Sequence, residues 1–220
     1  MKSTPDAAAA SEQAKQYFVA VAGNIGVGKS SLTALCAEAL GWEPFLEPHA
    51  DNPYLSDFYT DMQRWSFHSQ VFFLSRRLQH HRQLVDFPGS VVQDRTVYED
   101  AEVFARNLYQ QGQMSERDYA TYRSLYEGVR AFLPPPDLII YLKASVGTLA
   151  ERISRRGRPY ELQISIDYLT QLNRLYNKWA EEWTECPIMT IDADTLDFVH
   201  RLGDLDRVLQ EVRERLGVGR

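Results

Sequence analysis

The chain has little cysteine, no long apolar run and no excess of positive charge, and each shortage removes a class of function. Its two cysteines, Cys36 and Cys186, stand far apart in a sequence of 220 residues. That spacing suits neither a zinc site nor a disulfide framework, so both read as reduced core residues from a reducing compartment, the cytoplasm. No apolar stretch approaches the ~18 residues that a membrane-spanning helix needs. The opening "MKSTPDAAAASEQAK" holds one short run of alanine, too brief for the core of a signal peptide. Residues 1–16 read as a mobile N-terminal tail. A net charge of −6 argues against nucleic-acid polymers and membrane surfaces as partners. Residues 17–220 carry no internal repeat and no low-complexity linker, so they read as a single domain large enough to bury a core.

What the chain does have is an alternation. "YFVAVAG" (17–23), "WEPFLE" (42–47), "SVVQD" (90–94), "DLIIYL" (137–142) and "PIMTID" (187–192) are short and largely apolar. Helical stretches separate them, over about 29–40, 100–111, 115–132, 145–155 and 165–183, with a closing helix from about His200. A long helical region between the second and third runs carries Trp65, Val71, Leu74 and Leu78 on one face. Apolar strands separated by helices predict a doubly wound α/β fold, a five-stranded parallel sheet flanked by helices. Ligands of such sheets bind beyond the carboxyl ends of the strands.

The residues at those ends are therefore the informative ones. After the first strand, Gly23, four residues, Gly28, Lys29 and Ser30 fit the phosphate-loop pattern G-x-x-x-x-G-K-[ST]. The loop Gly23-Asn24-Ile25-Gly26-Val27-Gly28 would wrap its backbone N–H groups around an anion, and the helix opening at Lys29, Ser30 and Ser31 aims its positive end there. Lys29 would reach the outer phosphates and Ser30 would help hold Mg²⁺. A glycine-rich turn with an exposed lysine is the plainer alternative. The second strand ends in Glu47-Pro48 and the third in Asp94-Arg95-Thr96. Each charge alone suits a surface loop. Together, at one sheet edge, they supply what phosphoryl transfer needs: a proton acceptor (Glu47), a metal-holding acid (Asp94) and a cation (Arg95). "ERISRRGRPYE" (151–161) groups Arg152, Arg155, Arg156 and Arg158 in an otherwise acidic protein. It reads as an arginine-rich lid or, more blandly, as a solvated helix face.

In order along the chain, Gly23 to Ser30, Glu47-Pro48, "RWSFHSQVFFLSRR" (64–77), "DRTVYEDAEVF" (94–104) and "RISRRGRPYE" (152–161) resemble the successive motifs of deoxynucleoside kinases. The likeness is greatest to the bacterial branch acting on deoxyadenosine and deoxyguanosine. It implies a phosphate-loop kinase fold, a homodimer built through long helices, and ATP and Mg²⁺ dependence. The reaction implied is transfer of the γ-phosphoryl group to a deoxynucleoside 5′-hydroxyl in nucleotide salvage. Glu47 matches the residue that accepts the 5′-hydroxyl proton, and Arg95 the arginine bonding the same hydroxyl. The base role is also assigned in this family to the acid at Asp94, and the two assignments stay open here. Tyr59 and Glu161 match the pair that bonds the 3′-hydroxyl, and Gln70 the amide that reads the base edge. Arg77 and Asp100 match polar positions beside the base, and Phe104 the ring that covers it. Arg152 and Arg156 match lid arginines, and Asp197-Phe198 the loop that holds the ATP adenine. Lys29 and Arg158 complete the phosphate-facing cations.

A guanidinium and a carboxylate at Arg77 and Asp100 would pair with purine edges and leave thymine poorly served. A buried Arg77–Asp100 ion pair that only shapes the pocket is the alternative. Two positions depart from the family pattern: Ser69 and Asn52 stand where aromatics are usual. The competing readings are a deoxycytidine or broad-specificity kinase, a nucleoside monophosphate kinase, and a nucleotide-dependent regulatory module. A monophosphate acceptor would be repelled by a carboxylate at Glu47. A regulatory module has no use for Tyr59, Gln70 and Glu161.

Overall fold

The computed structural model describes residues 15–47 and 52–218. The proposed tail up to residue 14, Pro48 of the Glu-Pro pair and residues 49–51 lie outside them. Five strands, β1 (Phe18–Gly23), β2 (Glu43–Phe45), β3 (Val91–Asp94), β4 (Leu138–Lys143) and β5 (Ile188–Asp192), form one sheet in the order β2-β3-β1-β4-β5. Every pairing is parallel. Central β1 pairs Val21 with Asp94 on one side and Gly23 with Leu142 on the other. The phosphate loop and the Asp94-Arg95 turn are thereby neighbours at one edge.

Alternation along each strand divides the core in two. Val19 and Val21 of β1, with Leu138, Ile140 and Leu142 of β4, pack under α1 (Lys29–Leu40) and the closing helix α9 (Leu202–Leu216). Ala20 and Ala22, with Ile139 and Tyr141, face the opposite layer. That layer contains α2 (Leu55–Thr60), α3 (Met62–Val85), α6 (Glu116–Arg130) and α8 (Ile166–Glu182). Each β4 side chain from Leu138 to Leu142 is buried, contributing about 1.5–3 kcal/mol apiece. The Lys29–Leu40 helix has the anticipated bounds, whereas the region before β3 is two helices. Asp61 separates them: its carboxylate accepts from the Arg64 N–H and caps the start of α3.

The helix expected from about residue 100 starts earlier and is irregular. α4 (Val97–Glu99) runs through a π-helical stretch (Asp100–Ala105) into α5 (Arg106–Gln110). α7 (Val146–Arg156) then ends on Gly157, and a short 3₁₀ turn carries Glu161–Gln163. Both cysteines are free; Cys36 is buried as expected, but Cys186 is only half-buried, accepting from Trp183 Nε1. No helix among the described residues is long and apolar enough to cross a membrane.

Candidate active site

The phosphate loop has the backbone that its glycines permit. Gly23 has φ 143°, and a Cβ there would lie 2.6 Å from the Leu142 carbonyl oxygen. Gly28, at φ 107°, is the N-cap of α1 and offers no side chain to its free N–H groups. In contrast, Asp61, Ser115, Ser145 and Ser165 cap α3, α6, α7 and α8 with their side chains. An open, positive helix end is what an anion needs. Asn24 anchors the loop: its Nδ2 donates to the Leu169 carbonyl (3.1 Å) and to Asn173 Oδ1 (3.0 Å) on α8.

Lys29 is buried and donates to the Asn24 carbonyl at 3.1 Å. Burial, then the nearby Arg95 cation, lowers its pKa from 10.5 to about 8, against the opposing pull of Asp94, Glu99 and Glu47. The Ser30 hydroxyl donates to Asp94 Oδ2 at 2.5 Å. Asp94 Oδ1 is buried without a hydrogen-bond partner among the described residues. A hydroxyl beside an unsatisfied carboxylate oxygen, at the mouth of a phosphate cradle, fits Mg²⁺, which takes few protein ligands and completes its shell with water and phosphate.

A cavity of about 270 Å³ opens beside the loop, and Lys29, Ser30, Tyr59, Gln70, Arg95, Asp100, Phe104, Arg156, Arg158 and Glu161 all reach its wall. Arg95 holds a left-handed φ of 65°, an uncommon backbone state for a non-glycine residue. Its guanidinium lies 4.4 Å over the Phe104 ring and 3.6 Å from Glu47 Oε1. Asp100 and Phe104 share the π-helical stretch and both face the cavity. Gln70 Oε1 is buried with no hydrogen-bond partner among the described residues, in a side chain that lines this cavity. Tyr59 stacks on Tyr160 (6.3 Å, 15°), and burial, with Tyr168 and Glu161 nearby, holds its phenol well above the usual range.

Some residues lie elsewhere than the sequence suggests. Arg77 does not reach the cavity wall. It is 3% exposed, its Nε donating to Asp100 Oδ2 at 2.9 Å and its Nη2 to Glu47 Oε1. The ion-pair alternative therefore describes it, extended to a second carboxylate. Glu47 lies against Arg95 at a small cleft shared with Phe73 and Arg77, next to the main cavity and not among the described residues lining it. Arg156 and Arg158 both hold Glu161, at 2.6 Å and 3.3 Å. Arg152 spends its fork on backbone, donating to the Val27 and Ala193 carbonyls at 2.8 Å each. It ties the phosphate loop to the loop after β5. There a second cavity, of about 600 Å³, is lined by Asp197 and Phe198. Asn52 and Ser69, the two departures from aromatic residues, are bonded to each other (3.1 Å). Sequence reasoning missed Tyr160, Tyr168 and Phe58 on the main cavity wall. It also missed Glu99, whose Thr96-x-x-Glu99 capping box is readable in the sequence.

The family model described as deoxynucleoside kinase matches residues 19–216. The deoxyadenosine/deoxycytidine kinase of Bacillus subtilis is 36% identical over 90% of this chain and 92% of its own length. The deoxyguanosine kinase of the same organism is 34% identical over 90% and 96%. A solved deoxyadenosine kinase from M. mycoides with bound dATP superposes with a TM-score of 0.79 at 29% identity, covering 90% of this chain and all of that one.

Proposed function

The chain belongs to the deoxynucleoside kinase family, and we propose that it transfers the γ-phosphoryl group of ATP to the 5′-hydroxyl of a purine deoxynucleoside. The observation that carries this reading is the single cavity wall on which Lys29, Ser30 and Arg95 meet Gln70, Asp100 and Phe104. Phosphate-binding and base-reading groups thus meet in one cavity, as transfer from a nucleotide to a nucleoside requires. Asp100 and the orphaned Gln70 oxygen accept from N–H groups, the Gln70 amide donates, and Phe104 offers an aromatic face. Both purines present matching edges. Arg77 shapes this end through Asp100 and Glu47 rather than by meeting the base.

Glu47 accepts the 5′-hydroxyl proton as that oxygen bonds to the γ-phosphorus and the bond to the ADP oxygen breaks. Arg95, against Glu47 and Phe104, orients the hydroxyl and opposes charge on the transferring group. Lys29 and the open start of α1 hold the donor phosphates. Asp94 and Ser30 are the residues to hold Mg²⁺, which when bound neutralises charge between the β- and γ-phosphates. The second cavity, with Asp197 and Phe198, takes the donor's adenine. Tyr59 and Glu161 bind the 3′-hydroxyl, and Arg156 and Arg158, held on Glu161, form the lid. The enzyme works in the cytoplasm as a homodimer, a state that sedimentation of the purified protein measures.

The test is incubation with ATP, Mg²⁺ and each of the four deoxynucleosides, with monophosphate product quantified. Deoxyadenosine or deoxyguanosine should lead in kcat/KM and thymidine should trail. A preference for thymidine, or phosphorylation of monophosphates alone, overturns the reading.

A further inference from the structure

Glu99 is fully buried, yet it lies outside the cavity and outside every role assigned so far. A carboxylate in such a place is costly unless its oxygens are occupied. Here both are. Oε1 accepts from the Thr96 N–H at 2.8 Å and from the Thr96 hydroxyl at 3.4 Å. Oε2 accepts from the Gly23 N–H at 3.2 Å and from the Tyr176 hydroxyl at 2.9 Å.

The Thr96 bonds form an ordinary capping box, for which glutamine serves as well as glutamate. The bonds to Oε2 lie outside that motif. They reach the first residue of the phosphate loop and a tyrosine of α8, 76 and 77 positions away in sequence. Tyr176 in turn meets the Phe104 ring edge-on at 6.0 Å, and Phe104 carries the Arg95 guanidinium. The residue next to Thr96 is Arg95, with its left-handed backbone.

We infer that Glu99 is a positioning residue of the phosphoryl-transfer site: its carboxylate joins the start of the phosphate loop to the turn that presents Asp94 and Arg95. It fixes the anion cradle relative to the cation that acts on the transferred group. This rests on the phosphate-loop reading of Gly23–Ser30 given above. Glutamine cannot replace it. With its oxygen on the Thr96 N–H, its amide –NH₂ faces the Gly23 N–H, donor against donor. With the amide reversed, Thr96 meets the same conflict.

The experiment compares wild type, Glu99→Gln and Lys29→Ala in steady-state kinetics for nucleoside and ATP, with thermal melting beside each. Misplacement of a reacting group by about 1 Å costs on the order of 10²-fold. Glu99→Gln should therefore lose about 10- to 100-fold in kcat while the nucleoside KM stays within about threefold. A folded Glu99→Gln enzyme with wild-type kcat overturns the inference, leaving Glu99 as a helix cap. Equal loss in kcat and rise in nucleoside KM, with a lowered melting point, overturns it too, because that is general loosening. Should the glutamine variant not fold, Tyr176→Phe keeps the ring packing and removes one donor to Oε2. It should lower kcat by about threefold at unchanged nucleoside KM, and an unchanged kcat overturns the inference. Lys29→Ala separates the two levels. If it stays active, the phosphate-loop reading itself fails; if it is inactive while Glu99→Gln is unaffected, only the role of Glu99 fails.

Discussion

Nucleotide binding should draw a proton into this protein at alkaline pH, and the proton should go to Lys29. Burial and the neighbouring Arg95 bring its pKa down to about 8, whereas donor phosphates add negative charge at the ammonium and favour its charged form. At pH 9 only about one-tenth of the lysine is charged before nucleotide binds, against about nine-tenths at pH 7. Binding at pH 9 then requires uptake of close to one proton, and the apparent Kd for ATP should weaken about tenfold between pH 7 and 9, or about 1.4 kcal/mol. Isothermal titration calorimetry in buffers of different ionisation enthalpy measures that uptake directly. Lys29→Arg is the control, because a guanidinium stays charged throughout, and its uptake should vanish. Uptake near zero in the wild type at pH 9, or undiminished uptake in Lys29→Arg, refutes the reasoning. The same shift bears on stability. The unfolded lysine titrates near 10.5 and the folded one near 8, so between those values the unfolded chain binds more protons and stability rises with pH. Below about pH 8 both forms are charged and the burial cost is present in full, about 3 kcal/mol.

Three further substitutions probe the charges beside the cavity. Glu47→Gln should lower kcat by about 10²–10⁴-fold with little change in nucleoside affinity; if instead Asp94→Asn lowers kcat with unaltered Mg²⁺ dependence while Glu47→Gln is mild, the two roles are exchanged. Arg77→Met leaves Glu47 and Asp100 facing each other without their shared cation. It should destabilise the fold by about 3–5 kcal/mol, and an unshifted denaturant midpoint would contradict the burial of that triad.

The sheet was legible in the sequence because its inner strands β1, β3 and β4 are buried on both sides and read as short apolar runs, whereas the edge strands β2 and β5 are partly exposed. The site was legible where a local pattern carries the chemistry, as in Gly23–Ser30 and Asp94-Arg95. It was obscure on α3. There Trp65, Val71 and Leu78 are only partly covered, while Ser66, Ser69, Gln70, Arg77 and His81 join Leu74 and Leu84 on the buried face. A helix that turns polar groups inward toward a site has no strong apolar periodicity to display. The π-helical stretch was hidden for a related reason. Nothing in "DAEVFA" departs from ordinary helix composition, so the wider turn leaves no local signal to read. Arg77 was mislocated because one basic residue can bond a ligand or bridge two acids, and spacing alone does not separate these.

The distribution of charge also explains how an acidic protein addresses a polyphosphate. Net charge is −6, but the main cavity wall carries Lys29, Arg95, Arg156 and Arg158 together with the open start of α1 at Gly28. Two of the balancing acids stand beside these groups: Glu47 lies 3.6 Å from Arg95, and Glu99 accepts from the Gly23 N–H at 3.2 Å. Both carboxylates favour the charged guanidinium of Arg95, and they limit how far burial lowers Lys29. On the proposed function these cations are fixed before any phosphate arrives, so little reorganisation is left for the transfer itself. Acids that do reach the wall, Asp100 and Glu161, occupy it as partners of Arg77, Arg156 and Arg158. Charges beyond about 8–10 Å are screened in ordinary salt. What the ligand meets is this local arrangement and not the overall balance of the chain.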